Sequence, residues 1–194
     1  MATTRILIAE DNDLVCITLE EQLKGLGYEV IGIARSGNEA VSLTARLSPD
    51  LVIMDIRMPE MDGTEAATQI RNQCPTPIIM LTSYADKETI RKAEVAGALG
   101  YLVKPVTEND LPPAINIALA RFKELQALRN EVAELQDSLE TRKLVERAKG
   151  IIMQRTGLNE RDAYDRLRQS ARDKRRKMKQ IAQSIIDTEE ILGL

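Results

Sequence analysis

Three acids, a threonine and a lysine stand where carboxylate chemistry needs them. Asp55 closes the apolar run Leu51-Val52-Ile53-Met54 and opens onto the loop Ile56-Arg57-Met58-Pro59-Glu60-Met61-Asp62-Gly63. Glu10 and Asp11 close Ile6-Leu7-Ile8-Ala9 in the same way, Thr82 follows Ile78-Ile79-Met80-Leu81, and Lys104 follows Tyr101-Leu102-Val103. Converging carboxylates repel one another unless a cation neutralises them. An all-oxygen donor set suits Mg2+, which keeps several waters and takes few carboxylates. A metal, a hydroxyl and an ammonium can together stabilise charge on a phosphoryl group, which is how phosphoryl transfer is mostly catalysed. Asp55 would then be the carboxylate nucleophile that forms an acyl phosphate. A dinucleotide site would want a glycine-rich loop after the first run, and Glu10-Asp11-Asn12-Asp13 is the opposite chemistry. Taken singly, Asp11 and Thr82 read as well as helix caps, and Lys104 as a solvated loop residue. The combination, in order and at run ends, is what is specific.

Short apolar runs bounded by turn signals read as buried strands of a parallel sheet, which places these side chains at the carboxyl ends of strands. A fifth run, Val30-Ile31-Gly32-Ile33-Ala34, lies between the first and third. Stretches of helical spacing alternate with the runs. The first has Asn12 or Asp13 as N-cap and Gly25 or Gly27 as stop, the second ends at Ser48-Pro49, and the third covers about 64–73. A fourth covers about 86–95 and ends at Gly97, and a fifth starts after Thr107. Strict alternation argues for right-handed crossovers with helices on both faces. Strand order 2-1-3-4-5 would bring the Glu10-Asp11 and Asp55 ends together at a topological switch point. Lys104-Pro105 is expected to hold a cis peptide.

After Pro112-Pro113, which fit the first turn of a helix, almost no breaker occurs until about Arg155. Ile115, Leu119, Phe122, Leu125, Leu128, Val132, Leu135 and Leu139 form a narrow stripe that becomes heptad-like from Leu128. Such a seam predicts a two-stranded coiled coil and a homodimer, set against packing on the chain's own sheet or later helices. Beyond the break at Thr156-Gly157-Leu158-Asn159, Asn159 is a good N-cap, and Ala163, Tyr164, Leu167 and Ala171 form the expected buried stripe of a short helix. Met178, Ile181, Ala182, Ile185 and Ile186 mark another. With Leu144, Val145, Ala148, Ile151 and Ile152 they predict a small three-helix unit.

Composition sharpens these expectations. The chain has 194 residues, no His and no Trp, so His-based catalysis and His-ligated zinc are excluded. No apolar run is long enough for a membrane span and no leader opens the chain, so a cytoplasmic protein is expected, with Cys16 and Cys74 as buried free thiols. The net charge of −3 hides an asymmetry. Residues 1–110 carry 10 basic against 17 acidic side chains, whereas residues 141–180 carry 14 against 5. An acidic half joined to a basic one suggests two domains with different partners, the basic one suited to a polyanion. Arg142, Lys149, Arg155, Arg168, Arg172, Lys174, Arg175, Arg176 and Lys177 could neutralise phosphates. The competing reading of Asp173–Lys177 is a solvated turn. Gly150, inside a helix, suggests a close helix crossing or a nucleic-acid approach.

On Glu10-Asp11, the Asp55–Gly63 block, Thr82, Tyr101 and Lys104-Pro105, residues 5–120 resemble the receiver domain of two-component response regulators. The resemblance implies a five-stranded parallel flavodoxin-like α/β fold with Asp55 as phosphoacceptor. It implies Mg2+ held by Glu10, Asp11, Asp55 and the main-chain carbonyl of Arg57, with Glu10 reaching the metal directly or through water. Thr82 and Tyr101 become the switch pair, and Lys104 contacts the phosphoryl oxygens. Leu139–Met153, Glu160–Ala171 and the helix around Met178–Ile186 are similar to ANTAR domains, three-helix RNA-binding outputs of antitermination regulators. The expected divisions are a receiver over 1–120, a coiled-coil linker helix over 111–140 and an ANTAR domain over 137–194.

These resemblances imply a phosphorylation-controlled antiterminator that binds hairpin RNA and has a sensor histidine kinase as partner. It would not be an enzyme beyond slow loss of its own phosphate. A DNA-binding transcription factor is the first alternative, since three small basic helices can make a helix-turn-helix. A coiled-coil protein-interaction output is the second.

Overall fold

The structure, a computed structural model, describes residues 3–83, 91 and 95–192. The chain divides into two compact units, Met1–Gln126 and Ala127–Leu194.

The first unit alternates strand and helix: β1 (Arg5–Ala9), α1 (Asp13–Gly25), β2 (Glu29–Ala34), α2 (Gly37–Leu47), β3 (Leu51–Asp55), α3 (Gly63–Gln73), β4 (Ile78–Thr82) and β5 (Gly100–Val103). All four strand pairings are parallel, in the order β2-β1-β3-β4-β5. The expected helix at about 86–95 falls almost wholly outside the described residues.

Both sheet faces are covered, which is why the central strands read as unbroken apolar runs. Leu7, Ala9, Val52, Met54, Ile78 and Met80 point to one face, against Ala40 and Leu43 of α2 and Ala66, Ala67 and Ile70 of α3. Ile6, Ile8, Leu51, Ile53, Ile79 and Leu81 point to the other, against Cys16, Leu19 and Leu23 of α1. That second layer is completed by Leu111, Ile115 and Ala118, at the start of the long helix α4 (Leu111–Thr156).

Local chemistry sets the helix ends. The Asn12 side chain accepts from the amides of Leu14 and Val15, and Asp62 caps α3 through Thr64 and Glu65. Ser48 ends α2 in the left-handed region at φ 47°. Of the two expected thiols, Cys16 is buried, but Cys74, at the C-cap of α3, is only half-buried.

The second unit packs the end of α4 with α5 (Glu160–Asp173) and α6 (Met178–Leu192). Val145, Ala148, Ile152, Ala163, Leu167, Ile181 and Ala182 form its core. Tyr164 departs from the expected buried stripe, with 41% of its surface exposed. It follows Ala163 by a single residue, about 100° around the helix, which carries its large ring to the rim of the buried face.

The apolar stripe of α4 divides. Ile115 is buried and Leu119 packs beside it on the sheet. Leu125, Leu128, Val132, Leu135 and Leu139 remain 42–60% exposed.

Candidate functional site

The strand order brings the carboxyl ends of β1 and β3 side by side, and the acids come with them. Ala9 pairs in register with Met54, so Glu10 and Asp55 leave adjacent strands at the same level. Carboxylate oxygens of Glu10, Asp11 and Asp55 all lie within 4.8 Å of one another. Glu10 and Asp55 are buried, while Asp11 is open to solvent.

Lys104 reaches this cluster from the end of β5. Its Nζ donates to Glu10 Oε2 at 2.5 Å and to Asp55 Oδ2 at 2.9 Å. Its main-chain N–H donates to the Thr82 carbonyl at 2.8 Å, and the Lys104–Pro105 peptide is cis. Burial pushes the Glu10 carboxyl above its ordinary range and the Asp55 charge adds to this, while the Lys104 hydrogen bond opposes it. Burial would lower the Lys104 ammonium, but its bonds to Glu10 and Asp55 outweigh that and raise it.

One ammonium against three carboxylates leaves an excess of negative charge. Hard oxygen donors and uncompensated negative charge fit a divalent cation such as Mg2+.

The loop after Asp55 depends on a close backbone approach. The Gly63 N–H donates to the Ile56 carbonyl at 2.8 Å. A Cβ built on Gly63 would lie 2.1 Å from the Asp55 carbonyl oxygen. Any larger residue would therefore push on the backbone that aims Asp55.

Thr82 is buried at the end of β4, one residue beyond Leu81, which is in register with Asp55. Tyr101, in β5, is 47% exposed. Arg57 lies in the loop that follows β3.

One residue here escaped sequence reasoning. Arg35, just past β2, donates from Nη1 to the Glu10 carbonyl at 3.2 Å and to Cys16 Sγ at 2.6 Å. Its Nη2 pairs with Asp13 at 2.6 Å. It braces the backbone that presents Glu10. Only its position after an apolar run signalled this.

In the second unit the basic residues fall into two sets. Lys149 is buried and pairs with Glu146 at 2.9 Å and Glu160 at 2.7 Å. That corrects its place among the phosphate-neutralising candidates, because its charge is already spent inside the unit. Arg155 is forked onto Glu189, with contacts of 3.1–3.3 Å. Lys179 bridges Asp137 and Glu140, and Arg147 pairs with Glu190. Arg142, Arg168, Arg172, Lys174, Arg175, Arg176 and Lys177 are exposed, and none is ion-paired among the described residues. The space around a Cβ on Gly150 is open, so the chain's own described residues supply no helix crossing there.

Residues 6–116 match the response regulator receiver domain family, and residues 133–186 match the ANTAR domain family. The chain belongs to the response regulators. This response regulator is 46% identical over 184 residues to the transcriptional regulatory protein PdtaR of Mycobacterium tuberculosis, covering 95% of its own chain and 90% of PdtaR. Among solved structures, it is similar to the signal receiver domain of a modulated diguanylate cyclase from Desulfovibrio desulfuricans G20. The TM-score is 0.59 with 38% identity, over 63% of this chain and 98% of that one. The chemotaxis protein CheY4 of Vibrio cholerae is similar at TM-score 0.56 and 31% identity, over 59% of this response regulator and 98% of CheY4. No described helix is long and apolar enough to cross a membrane.

Proposed function

We propose that this response regulator is a transcription antiterminator that binds hairpin RNA under the control of phosphorylation at Asp55. The observation that carries the first half is the Lys104 ammonium held between Glu10 and Asp55 at adjoining strand ends. An Asp55 carboxylate oxygen attacks the phosphorus of a phosphohistidine on a sensor kinase. The new O–P bond forms as the P–N bond breaks, and the imidazole leaves. Lys104 neutralises charge on the equatorial phosphoryl oxygens. Glu10, Asp11, Asp55 and the Arg57 carbonyl would hold Mg2+, which supplies the remaining neutralisation. Slow attack of water on the acyl phosphate returns Asp55 and releases inorganic phosphate. Thr82 and Tyr101, on neighbouring strands, form the switch.

The second half rests on the ANTAR match, on the likeness to a transcriptional regulatory protein, and on the exposed unpaired basic residues of the second unit. The five exposed apolar residues from Leu125 to Leu139 would be covered by a second copy in a coiled-coil homodimer. In this reading, residues 1–120 receive the signal, 111–140 link and dimerise, and 137–194 bind RNA.

The test is intact-mass measurement after incubation with acetyl phosphate and Mg2+. Wild type gains one phosphoryl group, which chelation prevents, and Asp55→Ala gains none. Equal incorporation by Asp55→Ala would refute the assignment.

A further inference from the structure

The buried face of α5 is small, consisting of Ala163 and Leu167. Beside it the chain places one of its few aromatic rings half outside the core, since Tyr164 is 41% exposed. Its hydroxyl has no hydrogen-bond partner among the described residues. Side chains three and four apart on a helix are neighbours, so Arg161 and Arg168 flank the ring and Arg172 extends the same row. All three are exposed. None is ion-paired among the described residues, unlike Arg147, Lys149, Arg155 and Lys179 in the same unit. Asp165 stands among these arginines and is likewise unpaired, so the row keeps an excess of positive charge.

An open aromatic ring set in a row of free guanidiniums fits a nucleic-acid strand whose bases are unstacked. The ring offers a face to a base, and the arginines reach the phosphates on either side. Inside a paired RNA stem both faces of each base are covered by its neighbours, so the part of a hairpin that fits is the loop. We propose that Tyr164 is the stacking platform for an unpaired loop base, with Arg161, Arg168 and Arg172 holding the adjacent phosphates. The proposal rests on the RNA-binding reading above and names the residues that separate loop from stem.

The test uses the full chain, with acetyl phosphate and Mg2+ and without them. The probes are RNA hairpins of fixed stem and randomised loop, selected on wild type, and the same stem as a blunt duplex. Tyr164→Ala is expected to lose roughly 5- to 150-fold in affinity for the selected hairpins. Tyr164→Phe should keep the affinity, and neither variant should change the salt slope or duplex binding. Arg168→Gln should flatten the salt slope by about 0.7 for the phosphate contact it loses. Equal binding by Tyr164→Ala overturns the proposal, and so does equal loss on the loopless duplex. Dissociation of Tyr164→Ala to monomers in sedimentation without RNA also overturns it, by making the ring a dimer contact. If wild type retains no hairpin in either state, the RNA reading itself falls and takes this inference with it.

Discussion

At the scale of single residues, the candidate phosphoacceptor depends as much on a hydrogen atom as on its charges. Gly63 has no side chain, and the Asp55 carbonyl occupies the space that a Cβ would fill. Gly63→Ala must shift the β3–α3 loop, at roughly 1–3 kcal/mol, the usual cost of overpacking. The expected result is a lower Tm and slower phosphoryl incorporation from acetyl phosphate. Unchanged values of both would show that the loop yields freely. Lys104 has a different place, since it compensates two buried acids that would otherwise face each other. The acids, Thr82 and Lys104 were legible in the sequence because each ends an apolar run. Arg35 was not, because its role lies in contacts with the Glu10 carbonyl and the Cys16 thiol that only folding brings together.

At the scale of elements, α4 and α6 are joined by charge as well as by packing. Lys179 bridges Asp137 and Glu140, and its hydrogen bond holds the Asp137 carboxyl below its ordinary range. The same pair holds the Lys179 ammonium above its ordinary range. A lowered carboxyl stabilises the fold above its unfolded value and loses that effect as pH falls through its folded one. A raised ammonium stabilises below its unfolded value and loses that effect as pH rises through its folded one. The bridge therefore acts between about pH 4 and pH 10. Lys179→Met should lower the thermal midpoint of the second unit at pH 7, and the gap from wild type should close below about pH 4. A gap of constant size across that range would mean that the lost lysine stem, not its charge, was responsible. Helix limits were readable from caps such as Asn12 and Asn159, whose side chains bond the first free amides. Which face of a helix meets a core was less readable. Tyr164 matched an apolar spacing yet stands at the rim, and Lys149 looked like a surface cation yet is buried between two acids. Both outcomes depend on where neighbouring helices lie, which spacing within one helix does not encode.

At the scale of the whole molecule, the chain places an acidic carboxylate cluster in one unit and a basic surface in the other. The strand order could be read in advance because alternating buried runs and helices leave few right-handed topologies. Spacing separated the two halves of the long apolar stripe, since only the part from Leu128 is heptad-like, but it did not say that Ile115 would be buried in the first unit while Leu135 stays exposed. If Asp55 is the phosphoacceptor, the charge added there governs RNA binding by the basic unit. Affinity for hairpin RNA, measured with and without acetyl phosphate and Mg2+ on wild type and Asp55→Ala, tests it most directly. Affinity is expected to rise only for wild type and only when donor and Mg2+ are both present. Identical affinity in every condition, or an equal rise in Asp55→Ala, would contradict it.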